Sequence, residues 1–95
     1  MAPLLYAKLD HELAGKDRYH IRLETLLAEL GMATYRYKSK RKEKVLPSLE
    51  RLKGKPIVGE RYTLRVSIRE AADRRDFVLE AERSAPQLDL PLVDM

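Results

Sequence analysis

RYTLRVSIREAADRRDFVLEAER, residues 61–83, is the stretch on which the fold turns. Its first part alternates without a break. Tyr62, Leu64, Val66 and Ile68 fall on one side, and Arg61, Thr63, Arg65, Ser67 and Arg69 on the other. A period of two is that of a half-buried β-strand. Phe77, Leu79 and Ala81 repeat the pattern on one face of a second strand. EAADRRD, carrying Arg74 and Arg75, links the two as a hairpin loop.

Upstream the period changes to that of a helix. Val45, Leu49 and Leu52 recur at i, i+4 and i+7 and so predict a helix with one core-facing stripe, ended by Gly54. Pro47 lies inside that run; it removes one backbone donor and crowds the carbonyl of Glu43, which predicts a bend rather than a stop. Further back, Leu23, Leu26, Leu27 and Leu30 form a second stripe, with Gly31 at the C-cap position. RYHIR (18–22) reads as a short strand with Tyr19 and Ile21 on one side, and Leu5, Leu9 and Leu13 as a first helix closed by Gly15. The resulting order is helix, short strand, helix, basic helix and hairpin. It predicts an α+β fold of the winged helix-turn-helix kind: three helices plus a C-terminal β-hairpin wing over residues 1–83, with an extended tail over 84–95.

Positive charge is concentrated in one element. Residues 36–55 hold nine bases against two acids, a local charge of +7 in a chain whose total is +4, so the remainder is −3. Such local density is what phosphate contacts require, although a charge run by itself also suits a solvated helix face. At 100° per residue, with Val45, Leu49 and Leu52 inward, Tyr37, Lys40, Lys44, Ser48 and Arg51 line one lateral face and Glu43 and Glu50 fall away from it. Lys38, Arg41 and Lys42 fall nominally on the core side. The first turns of a recognition helix project beyond the domain, however, which would let these three reach a groove as well. Arginine suits bidentate contacts to guanine, so Arg36 and Arg41 are the expected base readers, with the lysines on phosphates. Arg74 and Arg75 on the wing would reach adjacent backbone or minor groove, or remain a solvated loop tip. Tyr35 and Tyr37 suit either turn packing or contact with sugars.

Several classes are excluded or disfavoured. The chain has no cysteine, hence no disulfide or thiolate metal site, and His11 and His20 do not make a zinc site. No apolar run reaches the length of a membrane span, and no signal peptide is seen at the start, so a cytoplasmic location is expected. No nucleophile–base pair, paired carboxylates or phosphate-binding glycine loop is visible; the expectation is a protein without enzymatic activity or cofactor. Asparagine is absent and Gln87 is the only carboxamide, a composition reminiscent of thermophilic or GC-rich genomes.

The stretch YRYKSKRKEKVLPSLERL (35–52) resembles the recognition-helix region of bacterial plasmid replication initiators, in which basic residues precede a Leu-Pro step, a small residue and a leucine-bearing helix end. The corresponding residues are Val45, Leu46, Pro47, Ser48 and Leu49, and the resemblance extends over about residues 4 to 82. It implies binding to repeated sites at a plasmid origin, opening of that origin and recruitment of host replication proteins. Many such initiators carry two winged-helix domains, whereas this chain has room for one, so it would be a C-terminal domain of a longer initiator or a stand-alone relative. The alternative is a transcriptional repressor or copy-control protein using the same helix, with the tail serving dimerisation. In that reading a second copy of the chain is the partner. A third reading, from another class, is an adaptor that binds only proteins.

The tail carries QLDLPL, residues 87–92. This resembles the short motif by which bacterial replication and repair proteins bind the DNA polymerase sliding clamp, with Gln87, Leu88, Asp89, Leu90, Pro91 and Leu92 each matching a motif position. In that role Leu90 and Leu92 would fill an apolar pocket, each contributing about 1.5–3 kcal/mol when fully buried. Leu88 would cover its margin, and Gln87 offers a donor and an acceptor together. Pro91 stiffens the segment and lowers the cost of ordering it. As a terminal strand the same alternation would pack on the domain, but Pro91 argues against a central strand. A peptide of residues 83–95 is therefore expected to bind purified bacterial clamp, and the L90A/L92A peptide is not. Absence of binding at high micromolar clamp would favour the repressor.

Overall fold

A computed structural model describes residues 1–33 and 35–85. Among them the chain forms an α+β fold of three helices and a four-stranded antiparallel sheet. Helix α1 spans Ala2–Ala14, strand β1 Arg18–Arg22, helix α2 Leu23–Glu29 and helix α3 Lys38–Leu52. Strands β2 (Pro56–Ile57), β3 (Tyr62–Glu70) and β4 (Phe77–Ser84) follow, and the sheet order is β1-β4-β3-β2. None of these helices is long and apolar enough to cross a membrane. The QLDLPL segment lies outside the described residues.

Each helix buries the stripe that its spacing requires. Leu5, Leu9 and Leu13 of α1 are fully buried, as are Leu23, Leu26 and Leu27 of α2, while Val45, Leu49 and Leu52 of α3 close the core from the third side. These leucines meet Leu64 and Val66 of β3 and Leu79 and Ala81 of β4 in one cluster. The alternation of β3 holds: Leu64 and Val66 are buried, whereas Arg65, Ser67 and Arg69 are exposed. β4 departs from it, because Val78, on the opposite face from Leu79, is buried as well. Its neighbours in register are Arg22 on β1 and Arg69 on β3, long side chains that can cover a small apolar residue between them.

The helix ends follow local chemistry. α2 stops in a Schellman arrangement: Met32 N–H donates to the carbonyl of Leu27 (2.9 Å) and Gly31 N–H to that of Ala28 (3.0 Å), with Gly31 at φ +71°. The C-terminus of α1 is closed from a distance. Arg83 at the end of β4 donates from Nη1 to the carbonyls of Leu13 (3.0 Å) and Ala14 (3.4 Å), from Nε to Asp17 (3.0 Å), and covers the Tyr62 ring at 4.4 Å. A cation there meets the negative end of the helix dipole. α3 continues unbroken through Pro47 to Leu52.

Strand β2 was not anticipated. Two residues carry no periodicity, and it is held by partners remote in sequence. Pro56 pairs with Thr63, Ile57 with Tyr62, the Tyr6 hydroxyl donates to the Pro56 carbonyl, and Asp10 accepts the Val58 N–H at 2.6 Å. That last bond secures a turn in which Val58, Gly59 and Glu60 all take positive φ. The stripe on α3 makes Leu49, 1% exposed, a sensitive core position. Leu49→Ala is expected to lower the unfolding free energy by about 2–5 kcal/mol in urea titration.

Candidate nucleic-acid interface

The basic helix begins about two turns before its apolar stripe, and those turns decide which cations face outward. Stepping back four residues from Val45 reaches Arg41, which is 5% exposed. All three nitrogens of its guanidinium donate hydrogen bonds. Nε donates to Asp76 Oδ1 (3.1 Å), Nη2 to the Arg75 carbonyl (3.0 Å), and Nη1 to the carbonyls of Tyr35 and Arg36, the latter at 3.3 Å. Asp76, 1% exposed, is equally committed. Its Oδ1 also accepts the Phe77 N–H (2.7 Å), and Oδ2 accepts the Glu24 N–H (3.0 Å) in the first turn of α2. No side chain of α2's own N-cap residue, Arg22, does this, so Asp76 caps that helix across the fold.

Arg41 is therefore corrected from base reader to buried clasp. The helical period had placed it, with Lys38 and Lys42, on the core side, and the projection expected of the first turns does not free them, because the β3–β4 loop packs beneath. Lys38 bonds to Glu70 and donates to the Arg74 carbonyl (2.8 Å). Lys38 and Lys42 also bracket the Phe77 ring, at 5.3 and 4.9 Å from its centroid. Both are half-buried. Lys38 holds the Glu70 carboxyl below its ordinary range, chiefly through their hydrogen bond.

The other predicted residues do face outward. Arg36, Lys40, Lys44 and Arg51 are exposed, and so are Arg74 and Arg75 in the loop. Lys40 approaches Glu43 at 3.7 Å, so Glu43 is nearer the basic face than its helical angle suggested. With side chains 61% and 71% exposed, this pair holds the lysine only weakly. Arg36, Lys44, Arg51, Arg74 and Arg75 make no ion pair with any described residue.

The loop that presents Arg74 and Arg75 is itself fixed. Arg22 at the end of β1 forms a bidentate pair with Asp73 (3.1 and 3.0 Å). Asp73 also accepts the Arg75 N–H at 3.0 Å. These bonds, the arginine's first, hold the Asp73 carboxyl below its usual value. Arg74 takes φ +60°, and Ala71 N–H closes the hairpin on the Asp76 carbonyl at 2.9 Å. Sequence reading missed Asp76 and Asp73. The available signal was Arg41 itself, since an arginine on a buried stripe requires a buried acceptor.

Comparison with protein-family models, with curated proteins and with solved structures gives no match. The clasp makes a sharp energetic prediction. Asp76→Ala leaves a buried guanidinium without its counter-charge and a helix without its cap, and is expected to lower stability by about 3–5 kcal/mol. Lys44→Ala, one turn along on the exposed face, is expected to change it by less than about 0.5 kcal/mol. Urea unfolding of both variants checks the contrast.

Proposed function

We propose that this chain is a winged-helix DNA-binding domain of the plasmid replication-initiator type, with α3 as the recognition helix and the β3–β4 hairpin as the wing. In this reading it acts in the cytoplasm on origin DNA, without enzymatic activity. Residues 87–92 would bring the bacterial sliding clamp to the bound site. Two observations support the fold assignment: the element order, and the pairing of β1 with β4, which joins the short strand to the hairpin.

The observation that carries the DNA reading is the partition of charge around α3. Its inward cations are bonded to the hairpin and its loop, while Arg36, Lys40, Lys44 and Arg51 along the helix and Arg74 and Arg75 in the loop remain exposed. Glu43 is the acid nearest this face, and its exposed pair with Lys40 leaves the face net positive. With Arg41 engaged internally, Arg36 is the arginine left to read a base edge, and the lysines suit phosphates. Tethering clamp and origin on one short chain would raise the effective concentration of each at the other.

Six outward cations set the expected salt dependence. For duplex DNA, log K should fall against log salt with a slope of about −5, and Lys44→Ala should make that slope shallower by about 1. Fluorescence anisotropy over a salt series measures both. A flat dependence, or no duplex binding at low salt, would contradict the proposal.

A further inference from the structure

The segment entering α3 presents aromatic surface where a folded domain ordinarily hides it. Of the large apolar side chains among the described residues, three stay exposed: Leu4, Tyr35 (37%) and Tyr37 (63%). Two of the three therefore flank Arg36. Turn packing, one of the roles open to these tyrosines from sequence, does not account for that exposure.

Their backbone is nonetheless held. Arg41 Nη1 donates to the carbonyls of Tyr35 and Arg36, and the Tyr37 carbonyl accepts the N–H groups of Lys40 (3.0 Å) and Arg41 (3.2 Å). The buried clasp thus fixes the arm from which Arg36 and Tyr37 project. The Arg36 guanidinium lies 5.7 Å from the centroid of the Tyr37 ring, so cation and ring are presented together. Lys40 and Lys44 continue the positive surface along the helix.

We propose that Tyr37, with Arg36 beside it, is a stacking site for an unpaired nucleobase, and that the preferred ligand is duplex DNA carrying an unstacked base. This rests on the duplex-binding reading above and adds to it the state of the DNA. A paired base inside a duplex has both faces covered by its neighbours, whereas a bulged or flipped base has a free face to offer an aromatic ring. Arg36 and Lys40 supply cations for the phosphates on either side of that nucleotide. Contact with a deoxyribose would give no such preference, because sugars are equally accessible in paired and bulged DNA.

The test uses the full chain and two short duplexes of the same sequence, one fully paired and one with a single bulged 2-aminopurine. The bulged duplex should bind about ten-fold more tightly, with quenching of the 2-aminopurine emission as the base stacks. Tyr37→Ala should abolish both the preference and the quench, bringing the bulged duplex to the affinity of the paired one, and Tyr37→Phe should retain both. Lys44→Ala should weaken the two duplexes equally. Equal affinity of the unmodified chain for both duplexes, or equal weakening of both by Tyr37→Ala, would overturn the stacking site while leaving the duplex interface in place. Failure to bind either duplex would remove both readings.

Discussion

The buried pair of Arg41 and Asp76 is the constraint around which the functional surface is organised. A guanidinium removed from water must have its charge matched and its donors satisfied. Here that requirement draws four segments together: the first turn of α3, the β3–β4 loop, the start of α2, and the residues leading into α3. The pair joins the hairpin loop to both helices, beside a core built mainly of leucine.

From that junction follows the division of charge on α3. One side of the helix faces the hairpin, where its cations find a carboxylate, backbone carbonyls and the Phe77 ring. The other side faces water and keeps its charge. The remaining surface ion pairs, such as Lys53–Glu50 and Arg69–Glu80, have half-exposed partners and add little to stability. The basic surface is thus braced from behind by hydrogen bonds and weakly neutralised on its open side. The same clasp fixes the arm bearing Tyr35, Arg36 and Tyr37, which couples the stability of the domain to the shape of its candidate binding face.

Most of the architecture was legible because the burial periods are clean. The stripes of Leu5, Leu9 and Leu13 and of Val45, Leu49 and Leu52 occupy the core they predicted, as do Leu23, Leu26 and Leu27, with Leu30 of that stripe only half-buried at the end of α2; the alternation from Tyr62 to Ile68 sets β3. Strand β2 was not legible, since two residues held by Asp10, Tyr6 and β3 have no pattern of their own. Arg41 was placed on the core side by its period, but the projection expected of the first turns of a recognition helix assigned it outward. The period prevailed because a buried acid, Asp76, stands where the arginine points. Arg41's place on the buried stripe was the one signal for the pair; Asp76 gave none, as it sits in a charged loop that reads as surface. The outward placement of Arg36, Lys40, Lys44, Arg51, Arg74 and Arg75 was readable from helical angle and loop position.

The central claim is that α3 presents an outward cationic face to DNA while Arg41 stays within the fold. It is tested most directly by following backbone amides and arginine Nε–H resonances together in an NMR titration with duplex DNA. The account predicts shifts centred on Arg36, Lys40, Lys44 and Arg51 and on the loop at Arg74 and Arg75, with the Arg41 Nε–H unmoved and protected from exchange. A response at Arg41 equal to that at Arg36, or shifts confined to other faces of the domain, would contradict it.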